Sequence, residues 1–181
     1  MSEPTYIKLL NSIAVNERKG EALLGCWAAT TKDKELADTL QFVAIREGEH
    51  AAAFTKRMCE LGYAVCEETA YQVFKNFDEL LACVASDASD ADKIAMLGGD
   101  RESKDTFASF FKDTTIDVQT CELLGRYVAE ERDSGRRLRA QYERICAAGN
   151  DGQAREIAEL RACVADLQRE LRELKSLRSV A

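Results

Sequence analysis

From Leu36 to Leu61 apolar side chains recur at helical spacing: Leu36, Leu40, Val43, Ala44, Ala51, Phe54, Met58 and Leu61 fall on one stripe. A stripe of that length predicts a long helix with one buried face. Glu47 and His50 lie in the middle of it, three residues apart, so both project from the face that a core must cover. An ionised carboxylate in an apolar seam is costly unless an opposite charge or a metal compensates it. The stripe therefore demands a compensator, and a cation is the simplest one. Glu-x-x-His alone is only a two-residue motif; the preceding segment gives it weight.

That segment, Tyr6 to Thr30, predicts a first long helix. Its stripe is Leu10, Ile13, Ala14, Leu24, Trp27 and Ala28, with Glu17 inside it and Glu21 one turn later. Thr31 to Lys34 reads as a polar turn, with Asp33 as N-cap of the next helix. A short turn makes antiparallel neighbours. A hairpin folded near Lys32 brings Glu17 and Glu47 to one level, which predicts a buried cluster of Glu17, Glu47 and His50.

Beyond Gly62 the stretch from Tyr63 to Asp90 predicts a crossover containing a shorter helix, with Phe74, Phe77, Leu80, Leu81 and Val84 apolar. Ala88 to Asp92 reads as a linker and cap. A third helix is expected from Asp92 to about Lys112 and a fourth from about Thr115 to Ala147. Hairpin, long crossover and hairpin is the connectivity of a ferritin-like four-helix bundle. Pro4 is the only proline, so no later segment is forced to break.

Two fragments carry a resemblance: Asn16-Glu17-Arg18-Lys19-Gly20-Glu21 on the first helix and Arg46-Glu47-Gly48-Glu49-His50 on the second. They resemble the ferritin/rubrerythrin superfamily, and as a pattern the likeness runs from Tyr6 to Ala147. It implies a Glu on the first helix and Glu-x-x-His on the second, repeated on the third and fourth helices, with two iron or manganese ions held between them. It also implies oxidase or peroxidase chemistry on iron, oxygen or peroxide.

The second half departs from that pattern. On the fourth helix Glu130 with Asp133 would place Arg126, Arg137 and Arg144 in the core, whereas Glu131 with Ser134 lines up with Leu124, Val128, Gly135, Leu138, Tyr142 and Ile145. Burying three arginines costs more, which favours Glu131 and puts Ser134 where a second histidine would stand. On the third helix the stripe of Ile94, Leu97, Ala108 and Phe111 passes through Arg101 at the level of Glu17, flanked by Asp100 and Glu102; Asp105 matches Glu21. Two outcomes remain open. Glu17, Glu47, His50, Glu131 and Asp100 hold one iron or manganese ion, since a few oxygen and nitrogen donors suffice. Alternatively the Arg101 guanidinium neutralises the carboxylates, leaving a metal-free scaffold or adaptor.

After Gly149-Asn150-Asp151-Gly152 a heptad pattern begins, with Ile157, Val164 and Leu171 at a and Leu160, Leu167 and Leu174 at d. Branched residues at a with leucine at d predict a parallel two-stranded coil and hence a homodimer. Glu156 facing Arg161, and Glu170 facing Lys175, suit a parallel pair. The alternative is a helix folded back on its own bundle. The expected organisation is thus a bundle over 1–148 and a linker with a coiled-coil helix over 149–181.

Composition narrows the partners. A net charge of −7 gives no electrostatic footprint for nucleic acid. No apolar run approaches a membrane span, and Met1 to Pro4 lacks the character of a signal peptide. The seven cysteines, Cys26, Cys59, Cys66, Cys83, Cys121, Cys146 and Cys163, are scattered singly. That argues against a disulfide framework or a cysteine metal site and for a reducing cytoplasm. No phosphate loop or nucleophile–base pairing is present.

Overall fold

The computed structural model describes residues 4–98 and 111–178, with side chains described for 4–98, 111–149 and Leu160. All regular structure among them is helical: α1 (Ile7–Thr30), α2 (Lys34–Glu60), α3 (Phe77–Ala85), α4 (Asp90–Leu97) and α5 (Val118–Arg178), with a 3-10 turn at Glu67–Thr69.

α1 and α2 form the expected antiparallel hairpin. Asp33 caps α2 by accepting the Leu36 N–H at 2.9 Å, satisfying one of the donors a helix start leaves open. α2 buries Leu36, Leu40, Val43, Ala44, His50, Ala51, Phe54 and Met58. α1 buries Leu10, Ile13, Ala14, Glu17 and Trp27, with Leu23 fully inside and Leu24 only half-buried. The chain leaves α2 through Gly62 at φ 85°, where the Gly62 and Tyr63 N–H groups bond to the carbonyls of Cys59 and Met58. Those two bonds close the helix end, and glycine alone takes that φ without strain.

The crossover returns along α1 as an extended strap. Asn11 pairs with both the N–H and the C=O of Cys66 at 2.8 Å each. Ser12 Oγ accepts the Tyr71 N–H at 3.0 Å, and Asn16 bonds the Tyr71 carbonyl at 2.7 Å and the Val73 N–H at 3.0 Å. These polar residues on α1 stand in for the sheet partner that an extended segment otherwise lacks. α3 then packs on α1.

The second half differs from expectation. The third helix was expected to reach Lys112, but α4 stops at Leu97, capped by Gly98 at φ 75°. Asp100, Arg101, Glu102, Asp105 and Ala108 lie outside the described residues. α5 starts at Val118 after an Asp117 cap, which accepts the Thr120 N–H at 3.0 Å. It then runs unbroken through Gly149–Gly152, where a linker was expected. Gly149 and Gly152 weaken the helix without breaking it, at about 1 kcal/mol each.

The chain divides into two compact units, residues 1–142 and 143–181. The first has a core of Tyr6, Ile7, Leu10, Ile13 and Ala14 from the α1 side, Phe54 and Met58 from α2, and Leu124, Tyr127 and Val128 from α5. Of the second, α5 carries every heptad position. Leu160 is 59% exposed; the side chains of Ile157, Val164, Leu167, Leu171 and Leu174 lie outside the described ones.

A candidate metal centre

Three helices of the first unit each bring one donor to a common point. Glu17 on α1 and His50 on α2 are both about 5% exposed, and Glu131 on α5 is half-buried beside them. One donor atom from each lies within 4.8 Å of the other two. His50 is the only histidine of the chain.

The His50 ring is held on both edges. Nδ1 lies 3.2 Å from Glu17 Oε2 and 3.4 Å from Glu131 Oε1, while Nε2 lies 2.8 Å from Glu130 Oε2. Tyr127 donates its hydroxyl to Glu17 Oε1 at 2.8 Å and packs edge-on against the His50 ring. Glu130 also accepts from Arg126 Nε at 2.9 Å. Arg46 bonds the Glu130 carbonyl, Asp133 and Ser134 Oγ at 3.0 to 3.1 Å.

The fourth helix thus settles between the two registers. Ser134 is buried and Glu131 turns inward, as the arginine argument requires. Asp133 points away to Arg46 and Arg137. Glu130, although its register is the disfavoured one, also reaches the site. Its side chain is 27% exposed, yet it reaches His50 from the adjoining position on the helix. A side chain that long spans the shift of one residue while Arg126 stays in solvent.

Glu47 comes in beside Glu17, whose carboxylate helps to hold a proton on it. Two glycines make room for this crossing. A Cβ at Gly20 would stand 2.6 Å from Glu47 Oε2, and one at Gly48 would stand 2.5 Å from Glu21 Oε1. Each helix accommodates a glutamate of the other.

Electrostatics follow from the crowding. Burial alone would lower the His50 pKa, but hydrogen bonds to Glu131, Glu17 and Glu130 push it up to about 10. Burial, reinforced by Glu17 and Glu131, pushes Glu47 up to about 11. Burial also raises Glu131 and, with the nearby carboxylates, the Tyr127 hydroxyl. Glu130, despite some burial, is held below the usual range by His50 and Arg126. The crowding accordingly favours a proton on His50 and on Glu47.

The donor set suits one metal ion. Two donors bonded to one ion at about 2.1 Å and roughly 100° apart stand about 3.2 Å from each other, close to the observed separations. Glu131 Oε1 is buried and has no close hydrogen bond among the described residues, the approach of His50 Nδ1 being 3.4 Å. Such an oxygen is costly unless it receives a proton or a cation. Glu130 on Nε2 is the outer carboxylate that fixes the orientation of a ligating imidazole. Tyr127, Gly20 and Gly48 were not singled out from the sequence, and Glu130 was weighed there only in the register set aside for Glu131. The helical offset of Tyr127 from Glu131, four residues, was the available signal for the first.

No protein-family model, curated protein or solved structure matches this chain. No helix among the described residues is long and apolar enough to cross a membrane.

Proposed function

We propose that this chain is a ferritin-like metal protein that binds one iron or manganese ion through Glu17, His50 and Glu131, with Glu47 as a further carboxylate. The convergence of Glu17, His50 and Glu131 donors, with Glu131 Oε1 buried and without a close hydrogen bond, carries this reading. The α1–α2 hairpin, the long crossover and the return of α5 support the ferritin-like comparison.

Such an ion, when bound, supplies one-electron exchange with oxygen or peroxide. The protein's part is positional. Tyr127 ties up one oxygen of Glu17 and leaves Oε2 facing His50 Nδ1. Glu130 accepts from Nε2 and so leaves Nδ1 free to act as ligand once His50 loses its proton. Glu47 carries a proton next to Glu17 that can be released or taken up there. Elemental analysis of protein purified without chelator tests the reading. Iron or manganese near one per chain is expected, and its loss in both His50→Ala and Glu47→Ala. Full retention in both variants would remove the cluster as the site.

A second reading is favoured by the His50 charge. With its ring between Glu17, Glu131 and Glu130, the imidazolium itself neutralises the cluster, and the bundle is then a metal-free scaffold. In either case the tail is proposed to pair two copies as a parallel coil through Ile157, Leu160, Val164, Leu167, Leu171 and Leu174. The unbroken helix to Arg178 and the exposed Leu160 support this. Leu167→Glu should dissociate the pair. A full-length chain that sediments as a monomer at micromolar concentration would contradict it.

A further inference from the structure

The strap along α1 does more than close the crossover. Between it and the helix lies a pocket of about 610 Å³ that reaches the carboxylate cluster. Its walls are Leu9, Ile13, Tyr71, Val73, Phe74 and Tyr127, and its inner end is formed by Glu17, Glu47 and Glu131. The volume is that of an ordinary small-molecule site. Tyr71 and Val73 are 72% and 60% exposed, large apolar side chains left in water at the rim. They are held there by the Ser12 and Asn16 bonds to their backbone, so the wall is fixed rather than collapsed.

The lining does not suit the passage of a hydrated cation. No carboxylate precedes the inner end, and the exposed Lys8 borders the pocket and would repel a positive charge. A second, smaller opening of about 150 Å³ reaches His50 from the other side, lined by Glu49, Arg126 and Glu130.

We propose that the apolar pocket binds a neutral, apolar organic molecule of one or two rings or a medium aliphatic chain, one end of which meets the Glu17–Glu131 cluster. The proposal deepens the metal reading, since the inner end of the pocket is the same cluster. It assigns the substrate class as a lipophilic molecule.

The test uses N-phenyl-1-naphthylamine, a neutral probe that fluoresces in apolar surroundings, on full-length protein whose metal content is measured in the same preparation. Saturable binding at one probe per chain is expected, with displacement by 1-octanol. Leu9→Glu puts a charge into the wall and should weaken binding about tenfold. Val73→Glu, at an exposed and foldable rim position, should weaken it by a smaller factor. Ile45→Glu removes an exposed apolar side chain outside the pocket and should change nothing. Absence of saturable binding would overturn the proposal, as would wild-type affinity in both pocket variants or an equal loss in Ile45→Glu. Probe binding to a chain without metal sinks the metal reading and keeps the pocket; metal without probe binding does the reverse.

Discussion

The chemistry of this molecule sits in a few side chains that hold more protons than their residue types ordinarily would. His50 rises from its ordinary 6.5 to about 10, so its charge stabilises the fold fully below pH 6.5 and is lost as pH climbs through 10. Glu47, raised from 4.5 to about 11, acts in the same direction: the folded chain binds a proton that the unfolded chain releases, so stability falls as pH rises through that window. Thermal melts of metal-free protein should therefore show a falling Tm from pH 7 to pH 10. A flat profile would mean that the cluster is not protonated as described. Tyr127→Phe removes the donor on Glu17 Oε1 and should cost about 1–3 kcal/mol in denaturant unfolding, because that oxygen stays buried. An unchanged midpoint would put the hydroxyl outside the network. Glu17, Glu47 and His50 were legible as a cluster because each interrupts an apolar stripe. Glu130 was not, since helical spacing alone places it off the buried face and only its side-chain length brings it back.

At the level of the helices, the two crossing glycines behave differently. Replacing glycine inside a helix by alanine gains about 1 kcal/mol where space allows. At Gly48 the obstacle is the Glu21 carboxylate, whose side chain is 38% exposed and can swing out, so Gly48→Ala should be neutral or stabilising. At Gly20 the obstacle is Glu47, held in the cluster, so Gly20→Ala should destabilise the chain or displace that carboxyl. A neutral or stabilising Gly20→Ala would show that Glu47 is not held. The hairpin, the Asp33 cap and the Gly62 stop were readable because each is a local signal. The extent of α4 was not: the Ile94 and Leu97 periodicity continues in the sequence past a Gly98 that takes the left-handed conformation. The continuity of α5 was missed for the opposite reason, since glycine near position 150 marks a turn only when the flanking helix gains nothing by continuing.

For the whole molecule, the core of the first unit lies upstream of residue 143. Deleting residues 151–181 should leave a folded helical protein and lower its mass in solution, as scattering would register. Loss of helical structure beyond that of the deleted segment would contradict the division. On the proposed function, binding of a metal ion by the buried cluster displaces protons from it. Calorimetric titration with manganese(II) at pH 7.5, repeated in buffers of different ionisation enthalpy, tests it most directly. Saturation is expected at about one ion per chain, with about one to two protons released from His50 and Glu47. No saturable uptake, or uptake without proton release, would contradict it.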